Sequence, residues 1–367
     1  MSITLVTAFY DLTRYETRPL DRTKENYLSW GEFVLGLDID LVLFVDKETS
    51  TYVSKKRRQF GLLDRTLVVC REYDDLPWTV RNTDIQKYLD ENEVDYKNSF
   101  KNGAAYHTLT WNKLYMVEEA ISTNPFNAEF FGWIDFGIYR VVRNYLPARL
   151  NEDFFVPADK RVNMMELEWT SDKELEDLQK FSSAIRFKMP AGFWTGHVTY
   201  LTRFSSLFKE YLYTLLSQRI VVLEEMIFAI IYNRHQEMFR SFYGNYYHLL
   251  ANYRETNIVP DTILRNISHG IRQESWAHVD TVCSNIYEEA YHVMTPEQRF
   301  TLFDKWSYSS YYYNRDMSQK HVELWLNRLE KEPEQIKLLK KHKERIIKNM
   351  SYYEKGDAFI QRVTRLL

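Results

Sequence analysis

Apolar positions follow two rhythms along this chain. In the first third they form short continuous runs: residues 3–10, then Leu41-Val42-Leu43-Phe44-Val45 between Asp40 and Asp46, then residues 66–70. Runs of this length predict strands buried on both faces. An amphipathic stretch over residues 27–37 and a charged helical segment before Thr66 separate them. Strand and helix therefore alternate, which implies parallel pairing with right-handed crossovers. Leu109, Leu114, Val117 and Ile121 recur at near-helical spacing and predict a helix over residues 112–120. An Asn124-Pro125 turn then leads into another apolar strand, which ends at Asp135. Residues 71–103 are polar and read as a lid or a helical excursion. Phe154-Phe155-Val156-Pro157 reads as an edge strand, and Ser171-Asp172-Lys173-Glu174 has the spacing of a capping box.

Beyond about Pro260 the rhythm becomes helical. Helices are predicted over residues 276–293, 321–329 and 335–350, with another starting at Thr295-Pro296-Glu297-Gln298. The last carries Lys337, Lys340, Lys341, Lys343, Arg345 and Lys348 around Ile336, Leu339, Ile346 and Ile347. Such a basic amphipathic helix is either the solvated face of a packed helix or a peripheral contact with an anionic membrane.

With 367 residues and 45% hydrophobic content the chain can bury a sizeable core. Its 48 basic and 51 acidic residues leave a formal charge of -3, so no global field points to nucleic acid. Cys70 and Cys283 have no metal-like spacing and fit a reducing compartment, so cytoplasmic residence is the simplest expectation. Asp11 and Arg14 arrive too early for the apolar core of a signal peptide. Aromatic residues make up 16% of the chain, and they build both cores and carbohydrate platforms. The cluster Tyr308, Tyr311, Tyr312 and Tyr313 near Trp306 reads as a packing joint between helical segments.

The densest candidate chemistry surrounds Trp133-Ile134-Asp135-Phe136-Gly137. A carboxylate at the carboxyl end of a buried strand, followed by a glycine, can hold a divalent metal against a diphosphate; it can also merely cap a turn. Asp-Phe-Gly is not a kinase signature here, because the glycine-rich loop and the His-Arg-Asp loop are missing. Phe9, Tyr10 and Asp11 emerge at the same sheet edge in the predicted layout, and Lys113 is a candidate to counter diphosphate charge. Ala191-Gly192-Phe193-Trp194-Thr195-Gly196-His197 places Gly192 and Gly196 where a backbone can approach a sugar closely, or where a strand turns into a helix. Glu224 and Glu225 open an apolar helix, where acids favour the helix dipole and where one can deprotonate an acceptor hydroxyl. His197 and His248 are the histidines nearest these elements, with His248 the candidate second metal ligand. No zinc-hydrolase histidine pattern and no Gly-x-Ser-x-Gly elbow occurs.

Val6-Thr7-Ala8-Phe9-Tyr10-Asp11, Asn112-Lys113 with Val117-Glu118-Glu119-Ala120, Asn124-Pro125-Phe126 and Trp133-Ile134-Asp135-Phe136-Gly137 together resemble the bacterial HtrL/YibB/WlaTC-like family. The likeness runs to Asn252-Tyr253. It implies a GT-A-like α/β fold, a mixed sheet flanked by helices, over residues 1–255, with residues 256–367 forming a helical domain or extension. It also implies transfer of a sugar from a nucleoside diphosphate, uridine diphosphate foremost, to a hydroxyl of a glycan acceptor, assisted by manganese or magnesium. In that scheme Asp135 takes the last acidic position of the metal-binding Asp-x-Asp element, although residue 133 is Trp rather than Asp. Phe9 and Tyr10 would border the base, Lys113, Gly137, Gly192, Gly196 and His197 the donor. For an inverting reaction Glu225 is the first choice of base and Glu224 the second. A noncatalytic glycan-binding protein on the same scaffold is the alternative.

Overall fold

A computed structural model describes residues 1–15, 22–91, 101, 103–259, 261–351 and 356–366. Seven strands form one sheet: β1 (Ile3–Phe9), β2 (Asp40–Val45), β3 (Thr66–Cys70), β4 (Phe130–Ile134), β5 (Val162–Glu166), β6 (Phe193–His197) and β7 (Phe239–Tyr243). Their order is β3-β2-β1-β4-β6-β5-β7. The first four in that order run parallel, whereas β6 pairs antiparallel with β4 and β5. The mixed α/β architecture with flanking helices is thus the one expected. Because β6 is reversed, its amino end meets the carboxyl end of β4, with Phe193 opposite Ile134 and His197 opposite Phe130. That reversal decides which predicted residues can share a site.

The continuous apolar runs do what their pattern demands. In β2 every residue after Asp40 is buried, and β4 and β5 are buried throughout, as expected of strands covered on both faces. The helix Lys24–Leu35 starts at a capping box in which Thr23 accepts from Asn26 N and Asn26 from Thr23 N. It lies over the end of β4: a Cβ at Gly31 would stand 2.0 Å from the Phe136 ring. The segment read as a lid or helical excursion is helical over Tyr73–Asp75, Thr79–Arg81 and Asn82–Glu91, and residues 92–100 and 102 lie outside the described residues.

Two local expectations fail. Phe154 and Phe155 belong to a helical turn, Glu152–Phe155, rather than to an edge strand. The Asn151 side chain caps it by accepting from Phe154 N, and Phe155 is driven inward against Phe193. The tyrosines at 308 and 311–313 do not lie between helical segments but on the helix Pro296–Tyr313 itself, where Tyr312 stacks on Trp276 at 4.7 Å.

The chain divides into two compact units, one of Met1–Phe242 with Tyr246–Arg254 and one of Tyr243–Asn245 with Glu255–Leu367. The second is built from the helices Asp261–Arg272, Trp276–Ala290, Pro296–Tyr313, Arg315–Leu329, Pro333–Met350 and Gly356–Leu366. In the basic helix Leu339, Ile346 and Met350 are buried in this unit's own core. Its apolar stripe is therefore already spent on packing, leaving the lysines as a solvated face. No described helix is long and apolar enough to cross a membrane.

Candidate functional site

Three elements of the first unit converge on one ammonium group. Lys113 sits in the helix Ala104–Thr123, Asp135 immediately follows β4, and Glu224 opens the helix Glu224–Arg234. Lys113 Nζ lies 2.8 Å from Asp135 Oδ1 and 3.0 Å from Glu224 Oε1, and donates at 3.3 Å to Ala191 O. All three ammonium hydrogens thus have acceptors. Lys113 and Glu224 are buried, whereas the Asp135 side chain keeps 41% of its surface open to solvent. Burial alone would lower the Lys113 pKa, but Asp135 first and Glu224 next outweigh it, and the lysine is held above its ordinary value as a fixed cation.

Asp135 is aimed by its neighbours. The Trp133 indole N–H donates to Asp135 Oδ1 at 2.6 Å, and Asp135 N donates to Gly192 O at 2.8 Å. Trp133 and Asp135 are two apart, the spacing that puts strand side chains on one face. Trp133 thus orients the Asp135 carboxylate. A Cβ at Gly192 would come within 3.2 Å of Asp135 Oδ2, so glycine keeps that oxygen clear.

The two glutamates differ. Burial pushes both upward, but the Lys113 charge overrides it at Glu224, which ends below the usual range. At Glu225 burial prevails over the attraction of Lys101, and the neighbouring Glu224 charge adds to it, so this carboxyl is raised. Lys101 Nζ stands 3.6 Å from Glu225 Oε1, and the Tyr246 hydroxyl donates to Oε2. His107 and Trp111 meet the carbonyl of Val222 at 3.2 Å and 3.0 Å, which fixes the chain just ahead of the paired acids. Sequence reasoning did not single out Lys101 or Tyr246 as site residues, because they are far from the glutamates in the chain. Gly31 and Tyr27, which seat Phe136 and Gly137, were missed for the same reason.

The other predicted residues divide. Gly192 joins the cluster. Gly196 and His197 do not: they oppose Phe131 and Phe130 at the amino end of β4, roughly 13–16 Å of strand away from Asp135. There the His197 side chain caps the helix Val198–Ser217 by accepting from Thr199 N. Gly137 makes room for a ring of the protein, since a Cβ there would lie 3.0 Å from Tyr27. Phe9 is a core residue, 5.2 Å from Phe136 and 5.9 Å from Tyr27. Tyr10 is buried, and its hydroxyl has no hydrogen-bond partner among the described residues. His248 is buried edge-on to Tyr145, and its Nδ1 has no hydrogen-bond partner among the described residues.

A manganese or magnesium ion asks for several oxygen ligands. Asp135 Oδ1 already receives the Lys113 ammonium and the Trp133 N–H. Among the described residues, no group of three histidine, cysteine or acidic side chains within metal-binding reach includes Asp135 or His248. The donor set does not fit a divalent ion, because lysine occupies the cation position on the aspartate.

No curated protein matches the chain. A solved structure of mouse xyloside xylosyltransferase 1 in its apo form is similar at 9% identity, with a TM-score of 0.35 over 66% of this chain and 85% of that one. The family model described as bacterial protein of unknown function (HtrL_YibB) matches residues 1–255. With Asp135, Lys113, Glu224 and Glu225 all inside the matched span, the chain belongs to the HtrL/YibB family.

Proposed function

We propose that the first unit is a GT-A-type glycosyltransferase domain that moves a sugar from a nucleoside diphosphate, uridine diphosphate foremost, to a hydroxyl of a glycan. One observation carries this reading: a half-open carboxylate, Asp135, stands at the carboxyl end of β4 beside a buried cluster of fixed charges. Open α/β sheets bind their ligands beyond the carboxyl ends of the strands. A cluster holding one carboxyl below and one above its usual range is an arrangement suited to acid–base work.

In this reaction the acceptor oxygen bonds to the anomeric carbon, and the bond to the diphosphate oxygen breaks with its electron pair on the leaving group. The hydroxyl proton goes to a base. Glu225 fills that role better than Glu224, which is committed to Lys113. A raised carboxyl is the stronger proton acceptor, and Tyr246 and Lys101 hold Glu225 in place. Asp135, with Gly192 beside it, accepts from hydroxyls of the donor sugar.

The test is nucleoside diphosphate release from a panel of nucleotide sugars, alone and with glycan acceptors. Turnover by the intact chain that Asp135→Asn abolishes with the fold retained supports the proposal. Carbohydrate affinity with no donor turnover would replace it with the glycan-binding alternative.

A further inference from the structure

The leaving diphosphate needs positive charge, and Lys113 is already paired with Asp135. Beside it lies a second cation that is differently placed. After Asp135 the chain turns at once, with Ile138 N donating to Asp135 O at 3.0 Å and Arg140 N to Gly137 O at 3.2 Å. This brings the exposed Arg140 guanidinium over the Trp30 ring, 5.9 Å from its centroid. Trp30 packs on Tyr27 at 5.4 Å, and the Tyr27 hydroxyl accepts from Arg22 Nη1 at 3.3 Å. Tyr27 in turn lies against Gly137, two residues past Asp135. Arg140 thus stands on an aromatic shelf at the same sheet edge as the open carboxylate.

Lost hydration and then the charge of Arg22 lower the Arg140 pKa, and among the described residues no acid is paired with its guanidinium. Other arginines and lysines of this unit meet acids directly, as Arg71 meets Glu119 at 2.6 Å and Arg65 meets Asp40 at 2.8 Å. An exposed guanidinium that is paired with no acid among the described residues is suited to receive an anion. A planar fork held on an aromatic face is also preorganised for phosphate oxygens, since little rotamer freedom is left to lose.

Resting on the transferase reading above, we infer that the enzyme works without a divalent metal: Lys113 fills the cation position on Asp135, and Arg140 takes the donor diphosphate. No proton need pass to the leaving group. The negative charge that develops on the diphosphate as the anomeric bond breaks is met by Arg140, and Lys113 keeps Asp135 from repelling it.

The experiment is a thermal-shift and calorimetric titration of the full chain with uridine, guanosine, cytidine and thymidine diphosphates, each in EDTA and in manganese, followed by donor turnover under both conditions. One nucleotide should raise the melting temperature in EDTA as far as in manganese, with turnover undiminished by the chelator. Arg140→Ala, at an exposed position, should leave the free protein's melting temperature unchanged and weaken that nucleotide about tenfold or more. Manganese alone should give no shift that Asp135→Ala removes. Binding or turnover that appears only with manganese, or an Arg140→Ala variant that binds as tightly as the parent, would overturn this inference and leave the transferase reading standing. No shift and no turnover with any nucleotide in either condition would overturn both.

Discussion

Each unit holds a carboxylate in a polar network, and the two networks end differently. In the second unit Asp280 Oδ1 accepts from Trp306 Nε1 and from Ser310 Oγ, each at 2.8 Å, and Ser310 Oγ lies 2.9 Å from His321 Nδ1. Serine, histidine and aspartate stand together, yet Asp280 and Ser310 both face the same ring nitrogen, Asp280 at 3.7 Å. A proton relay needs the acid on one ring nitrogen and the hydroxyl on the other. Ser310 is fully buried as well. This network ties the helices Trp276–Ala290, Pro296–Tyr313 and Arg315–Leu329 to one another. The network of the first unit instead pairs full charges and ends on the half-open Asp135. Composition does not distinguish structural from chemical polar clusters; the open edge does.

The comparison breaks first at turnover. Glu225→Gln should cut transfer by about a hundredfold to ten-thousandfold, the usual contribution of a general base, whereas His321→Gln should leave it unchanged; steady-state kinetics on both variants separates the networks. Next comes stability. Lys113→Met strands buried Glu224 without its partner and should cost about 3–5 kcal/mol in denaturant unfolding. Pairing it with Glu224→Gln should recover most of that loss. Ser310→Ala, in the second unit's network, should cost only about 1–3 kcal/mol.

Acid probes both units. Burial lowers His107 to about 4 despite its two carbonyl neighbours, and burial lowers His321 as well. An unfolded histidine binds its proton near pH 6.5 and these folded ones resist it, so stability is intact above that pH and declines as pH falls. For His107 the loss between pH 6.5 and 4 should be on the order of 3 kcal/mol, removed in His107→Gln, as melting curves across that window would show. The smallest effect belongs to the sheet's other end. His197→Ala should cost about 1 kcal/mol for the lost cap and leave turnover untouched.

What could be read from the sequence follows from locality. The apolar strand runs of the first third, the capping box at Ser171, the helix start at Thr295 and the emergence of Asp135 at a strand end depend on residues within a turn or two, and these are present. The direction of β6 depends on pairing between distant segments, and neither Gly192 nor Gly196 records it. That one reversal keeps Gly192 beside Asp135 and sends Gly196 and His197 to the far end. The glycines themselves were conspicuous, but what each makes room for was not: Gly137 and Gly31 admit the protein's own rings, and Gly192 clears a carboxylate. Likewise the partners of Glu225 lie on segments that pattern alone does not bring together.

The most direct test of the account is a crystal structure grown with the nucleoside diphosphate that binds best. The account predicts phosphate density at the carboxyl end of β4, against Arg140 and beside Asp135. A nucleotide seated elsewhere on the chain, with Asp135 and Arg140 untouched, would contradict it.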